Sequence, residues 1–269
     1  MAWIESESRS FRARHDSADT HDVERVLYSL ERTRDRLSNH FPDPAGELTL
    51  VVHRSTLSLT MANPVLPLAW LATAPAARRY VAGWAGAQEL HVLAPGALEA
   101  RASNVPGSRE MLELAAAALY ARRVITANNA ELSRAWRLRR TMLELRWAWL
   151  VEGAARWFSG QTEHARPAIA RRLREGGRPT FPPGLRDAPL LGGTVIDLLA
   201  REEGERAAVE LASHLHPQGQ RAALAKAFRG RAFVHTEGAW RSHLARWVGQ
   251  AEPQASATAR DTGPRPRRR

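Results

Sequence analysis

The spacing of apolar residues divides the chain into a first half that mixes strands with helices and a second half that is almost entirely helical. Apolar residues three and four positions apart predict a helix from Asp19 or Thr20 to about Phe41. Residues 47–53 are β-branched and apolar, which is typical of a buried strand. From Leu138 onward the pattern is helical, with breaks at glycine- and proline-containing segments.

Shorter segments complete the first half. Residues 4–15 are strand-like around their last five positions, and residues 80–84 and 89–93 are two further strand candidates. Ser108 and the acidic residue that follows it predict the start of a helix that runs through Thr126. This order predicts an α+β fold, with a small mixed sheet and its helices at the amino-terminal end and a mainly helical carboxy-terminal half.

Composition and the order of elements predict the boundaries between parts of the chain. We place a sheet-and-helix subdomain at residues 1–126 and a helical subdomain at residues 127–249. Residues 250–269 are polar, contain proline and end in a basic run, so they are predicted to be a disordered tail. The 44% apolar fraction is that of an ordinary globular protein.

Location and redox chemistry are constrained by what the sequence does not contain. No apolar run approaches the roughly 18–20 residues that span a bilayer. Residues 1–7 do not resemble a secretory signal, so a cytoplasmic location is expected. The absence of cysteine excludes disulfides and thiolate metal sites.

The formal charge of +11 comes almost wholly from arginine, because Lys226 is the only lysine among 39 basic residues. A GC-rich bacterial genome accounts for such a bias. A surplus of this size also favours contact with nucleic acid or anionic surfaces.

One segment of the helical half carries a distinctive motif. Residues 149–161 read Trp-Leu-Val-Glu-Gly-Ala-Ala-Arg-Trp-Phe-Ser-Gly-Gln. This string resembles the second metal-ligand helix of gluzincin zinc peptidases, which have a peptidase-MA-like fold. The resemblance extends over about residues 5–248 and implies a thermolysin-like arrangement. It also implies that Glu152 stands where such enzymes supply an oxygen ligand to zinc.

The other half of that site is missing from the sequence. Gluzincins carry His-Glu-x-x-His on an upstream helix, and this chain has no such string. The corresponding helix is alanine-rich, and two registers remain open. One places the motif on residues 112–116 and keeps only the glutamate, at Glu113. The other, a few residues later, places alanines, Leu119 or Tyr120 at the metal positions. Neither register supplies an imidazole, so we expect no catalytic residues, no metal and no cofactor.

The resemblance also implies a cleft between these two helices. Glu152 is then a vestigial ligand position that pairs with an arginine such as Arg122 or Arg123, or else an ordinary surface glutamate. Small residues after it, Gly153 among them, are expected to let its helix approach the upstream helix closely. The residues expected to line the cleft come from both helices: Glu113, Ala116, Ala117, Tyr120, Arg123, Trp149, Gly153 and Arg156.

Three functional interpretations follow. The first is a pseudopeptidase that binds or scaffolds a peptide, a protein or a small molecule. The second is a basic helical module that binds nucleic acid, since arginines from Arg134 to Arg146 alternate with Trp136 and Trp147. The third is a hydrolase with unusual metal ligands, for which His53 and His91 are the candidates to join Glu152.

Overall fold

The computed structural model describes residues 3–261, and the side chains of residues 3–249. The chain opens with a five-stranded sheet in the order β1-β2-β3-β5-β4. Strands β2, β3 and β5 are parallel neighbours, whereas β1 and β4 pair antiparallel at the two edges. The strands are β1 (Trp3–Glu7), β2 (Phe11–Asp16), β3 (Leu48–His53), β4 (Gly83–Ala85) and β5 (Glu89–Leu93).

Helices make up most of the remaining chain. Between the strands lie α1 (Thr20–Ser38), α2 (Thr56–Ala62), α3 (Leu66–Ala72) and α4 (Pro75–Arg78). After β5 come α5 (Pro95–Arg101), α6 (Ser108–Glu113), α7 (Ala115–Asn128), α8 (Ala130–Ser133), α9 (Arg137–Arg146), α10 (Ala148–Phe158), α11 (Arg166–Arg174), α12 (Ala188–Glu203), α13 (Glu205–Ser213), α14 (Gln220–Ala227) and α15 (Phe233–Asp261). The predicted α+β fold, with its mixed sheet first and its helical half second, is confirmed.

Alternation along the strands sends one set of side chains towards α7. Phe11 is fully buried on this face, and its ring meets that of Tyr120 edge-on at 5.1 Å. The Tyr120 hydroxyl donates to the carbonyl oxygen of Pro44, 2.9 Å away. Tyr120 therefore ties α7 to the sheet.

Three predicted elements need correction. The helix expected over residues 108–126 is broken at Leu114 into α6 and α7. The single strand expected within residues 4–15 is a hairpin of β1 and β2, and the strand expected over residues 80–84 is shortened to β4. Strand β5 matches its predicted bounds.

The tail prediction is also wrong in part, because α15 continues beyond Gly249 to Asp261. Alanine is frequent in residues 251–259, and its high helix propensity explains why a polar segment is helical there. The basic run from Pro264 to Arg269 lies outside the described residues. Within residues 3–261, no helix is both long and apolar enough to cross a bilayer.

Helix α10 packs most closely against α12. A Cβ atom added at Gly153 would lie 2.3 Å from the backbone carbonyl carbon of Gly192. A Cβ at Gly192 would lie 2.5 Å from the carbonyl oxygen of Trp149. Two glycines therefore let these helix backbones touch. The prediction that Gly153 serves the approach to the upstream helix is wrong, since its partner is α12.

Candidate functional site

A cavity of about 450 Å³ opens between α7 and α10 and is the central cleft of the molecule. Helix α3 and the edge strand β4 form one side of it, and α9 forms the other. The first residues of α12, Ala188 and Pro189, also contribute to the lining. The cavity therefore joins the sheet edge to the helical half.

Each of the two main helices turns one face to the cavity. On α7 the lining positions are Ala115, Ala118, Leu119 and Arg122, which follow the three- and four-residue spacing of a single helical face. On α10 they are Ala148, Glu152, Ala155 and Arg156, with the same spacing. Small residues hold the space open, and charged residues lie where the helices face each other.

An ion-pair network spans the two helices at this point. The Nε atom of Arg122 lies 3.2 Å from Oε1 of Glu152, and its Nη2 lies 2.7 Å from Oε2 of Glu144. Arg140 pairs with the other oxygen of Glu144 at 2.9 Å. Burial lowers the pKa of Arg122, but the charges of Glu152 and Glu144 outweigh it and raise that pKa overall. Arg122 therefore stays charged between two carboxylates.

Arg156 lies deeper in the same cavity and is 7% exposed. Its Nη1 atom donates to Oε1 of Gln161 at 2.5 Å, and its Nη2 atom to the carbonyl oxygen of Tyr80 at 3.5 Å. Its Nε atom is buried without a hydrogen-bond partner in the described part of the chain. Burial lowers the pKa of Arg156, whereas the charge of Glu152 raises it. Gln161 in turn donates to the carbonyl oxygen of Met111.

The sequence placed Glu152 correctly opposite the upstream helix and named Arg122 as one of its two candidate partners. Most of the eight residues predicted to line the cleft lie elsewhere, and only Arg156 lines it. On α7 the face that lines the cavity carries Ala115, Ala118, Leu119 and Arg122 instead, and on α10 Gly153 packs against α12. Ala116, Ala117 and Tyr120 are buried in the core beside the sheet, Trp149 and Gly153 are buried, Arg123 is half-buried outside the cavity, and Glu113 is exposed on α6.

Sequence reasoning did not place Glu144, Gln161 or helix α9 at the cleft. Arg140 and Glu144 are four residues apart on α9, which is a common surface pairing on helices. That spacing signals a local ion pair and gives no sign of the contact with Arg122.

His53 and His91 lie on the sheet, outside the lining of the central cleft. His53 ends β3, and its Nε2 atom lies 3.0 Å from Nδ1 of His91 on β5. The ring of Trp84 stacks on His91 at 4.1 Å, and Oε2 of Glu89 accepts a hydrogen bond from His91 Nε2 at 3.2 Å. Neither histidine lines the central cleft. They are members of a separate polar cluster on the sheet.

The donor set in the cleft does not fit zinc. Of the residues on the facing surfaces of α7 and α10, Glu152 alone offers a ligand atom, and Arg122 adds a positive charge beside it. Among the described residues, no three His, Cys, Asp or Glu side chains come together in a group that could hold a metal ion.

The basic segments are divided between the surface and the core. Trp136 is 64% exposed beside Arg134, Arg137 and Arg139, but Trp147 is buried. On α11, Arg172 is buried and forms two hydrogen bonds with Asp187, so it is a structural residue.

Comparisons of this chain with protein-family models, with curated proteins and with solved structures found no match.

Proposed function

We propose that this protein is a pseudopeptidase: a gluzincin-like chain whose central cleft binds a ligand and does not cleave it. The observation that carries the proposal is the Arg122–Glu152 ion pair between α7 and α10. In the gluzincin arrangement, the oxygen ligand of the second helix points at a metal held by the first helix. In this protein the corresponding carboxylate, that of Glu152, contacts the guanidinium of Arg122.

The cavity-facing positions of α7 favour a register for the lost motif that differs from both registers left open by the sequence. If His-Glu-x-x-His is laid on residues 118–122, Ala118 and Arg122 take the histidine positions and Leu119 takes the place of the general base. The register over residues 112–116 is less suitable, because it crosses the break at Leu114 and places Glu113 on the exterior. The proposal therefore gives Arg122 a defined role, since its charge satisfies Glu152 in place of a metal.

Metal analysis tests this proposal. Protein purified from zinc-supplemented cells and dialysed should carry far less than about one zinc per chain, because the cleft offers only the carboxylates of Glu144 and Glu152, both paired with Arg122, where a structural or catalytic site needs three or four ligands. Zinc bound at about one per chain and retained through dialysis would overturn it.

A second candidate function rests on the exposed Trp136. Arg134, Arg137 and Arg139 are close to it in sequence and exposed, and none of them pairs with a carboxylate of residues 3–249. An exposed aromatic ring in a basic segment is suited to stacking on a base whose phosphates contact the arginines. This candidate requires binding to single-stranded DNA or RNA that weakens steeply with salt and is lost in Trp136→Ala. Absence of such binding removes it and leaves the cleft proposal untouched.

The third interpretation, a hydrolase with Glu152, His53 and His91 as ligands, finds no support in the geometry. The two histidines are bonded to each other on the sheet, and Glu152 is bonded to Arg122.

A further inference from the structure

The central cleft combines apolar walls with one buried cation, Arg156, that lies in the field of Glu152 but contacts no carboxylate of residues 3–249. Its hydrogen-bond acceptors, Gln161 and the Tyr80 carbonyl, are neutral, and its Nε atom has no partner among the described residues. A charge held away from water is unfavourable unless an opposite charge meets it. Arginine does not escape this cost by losing its proton. A negative group entering the cleft would meet this charge directly.

The charged residues that line the cavity are Arg122, Arg156, Glu144 and Glu152, so their formal charges balance. Both carboxylates are in contact with Arg122, at 2.7 and 3.2 Å, and Glu144 also pairs with Arg140. Arg156 is therefore the charged group of the lining that contacts neither carboxylate, and it is the position where a single entering carboxylate gains a direct ion pair.

The walls determine what the rest of the ligand must be. Much of the remaining lining is aliphatic: Ala118 and Leu119 on α7, Ala69 and Ala72 on α3, and Ala148 and Ala155 on α10. Such a surface gains free energy when it covers an apolar chain, in proportion to the apolar area removed from water.

The mouth of the cleft continues this apolar surface outward. Val65 and Leu68 on the α3 side are each 63% exposed, and Leu145 on the α9 side is 53% exposed, although all three line the cavity. Residues 55–77, which include α2 and α3, contain no charged side chain. Large apolar side chains that line a cavity and also face solvent are typical of a binding entrance.

We propose that the central cleft binds an apolar chain that ends in a single carboxylate, with the carboxylate against Arg156 and the chain along the walls formed by α3, α7 and α10. This inference rests on the proposed binding function and gives its ligand a chemical class. Two sources share that chemistry: an alkyl carboxylate of the fatty-acid type, and the free carboxyl terminus of an apolar peptide. A guanidinium forms paired hydrogen bonds with a carboxylate from either source.

Calorimetric titration of the full chain tests this proposal with four probes. Decanoate is compared with decanol, which has the same chain and no charge. Acetyl-Leu-Leu-Val with a free carboxyl group is compared with its carboxamide. A charge-assisted hydrogen bond at a buried site corresponds to a difference of about tenfold to a hundredfold in affinity. We expect at least one of the two carboxylate probes to bind with an affinity higher than that of its neutral counterpart by that factor. The pair that shows the difference identifies the source.

Two variants connect the effect to the cleft. In Arg156→Gln, the ratio of carboxylate to neutral affinity should fall to near one, a change that a merely structural role for Arg156 would not produce. If that variant does not fold, Leu145→Glu serves instead, because the exposed position tolerates the change and the new charge repels the anion. Leu138→Glu is the matched control, since Leu138 lies on the same helix, is 57% exposed and does not line the cavity.

Neutral probes that bind as well as the carboxylates would overturn this inference and leave a non-catalytic binding cleft in place. Absence of binding by all four probes would overturn it as well. Loss of affinity in Leu138→Glu equal to that in Leu145→Glu would move the ligand out of the cleft and so contradict the proposal. The proposed function fails separately, through stoichiometric zinc in the purified protein.

Discussion

At the scale of single residues, the character of the cleft depends on which charged groups meet. Arg122 forms ion pairs with both Glu144 and Glu152. Arg156 lies deeper in the cleft and forms no ion pair with a carboxylate of residues 3–249; it donates to the neutral side chain of Gln161 instead. The sequence alone predicted that Glu152 would find no imidazole opposite it and named Arg122 among its candidate partners. It could not predict that Arg122 has a second partner, because Glu144 lies on a helix whose position depends on tertiary packing.

The hydrogen-bonded pair of His53 and His91 on the sheet makes the free energy of unfolding depend on pH. Burial lowers the pKa of His53 from 6.5 to about 4, and the nearby His91 contributes to the shift. Because this pKa is lower in the folded state, the unfolded chain takes up its proton first. The contribution of His53 is thus present in full above about pH 6.5 and is lost as the pH falls through about 4.

Urea denaturation across this range measures the effect. Between about pH 7 and about pH 4, the free energy of unfolding should fall less in His53→Gln than in the wild type, because the variant has no imidazole to protonate at this site. His21→Gln, at an exposed position of α1, is the control for removal of a histidine. Equal losses in the wild type and His53→Gln would show that His53 does not contribute.

At the scale of elements, the position of α10 is determined by both of its neighbours. The sequence identified the small residues after Glu152 but assigned them to the wrong partner, because periodicity shows which positions share a face and does not show what covers that face. Gly153 packs against Gly192 on α12, while Ala155 and Glu152 line the cavity. The close α10–α12 contact therefore fixes the face of α10 that carries Glu152 and Arg156.

Alanine at Gly153 should separate the two helices. Its Cβ atom would lie 2.3 Å from a backbone atom of Gly192, which cannot move as a side chain could. We expect Gly153→Ala to lower the free energy of unfolding by about 1–3 kcal/mol. Gly238→Ala is the matched control, since it is also helical but has no atom within 4 Å of the added Cβ, and it should be stabilising by about 0.5–1 kcal/mol. Thermal or chemical denaturation distinguishes the two, and a neutral Gly153→Ala would refute the close contact.

At the scale of the whole molecule, the class of fold could be predicted from the sequence, whereas the location of the cleft could be predicted only in outline. The order of strands and helices is visible in local periodicity, β3 lies where an apolar, β-branched run predicted it, and β5 lies at the strand candidate of residues 89–93. The cleft lining was mostly mispredicted. Neighbouring residues on a helix point about 100° apart, so an error of one position in the helix register assigns every side chain to the wrong face. The break at Leu114 is not marked by glycine or proline in the sequence. The helix that reaches Asp261 was missed because polarity was taken as a sign of disorder.

The proposed pseudopeptidase function requires that Arg122 stands where a metal ligand has been lost, and restoring the motif tests this equivalence. The triple variant Ala118→His, Leu119→Glu and Arg122→His places His-Glu-x-x-His on the cavity-facing side of α7, opposite Glu152. We expect it to bind about one zinc ion per chain in a calorimetric titration, because two imidazoles and a carboxylate then converge as in a three-ligand site.

The control keeps Arg122 and changes only Ala118→His and Leu119→Glu. It should bind no zinc in the cleft, like the wild-type chain, because the guanidinium still occupies Glu152. The central claim therefore predicts zinc binding in the triple variant alone. A folded triple variant that binds no zinc, or a wild-type chain that binds it as tightly as the triple variant, would contradict the claim.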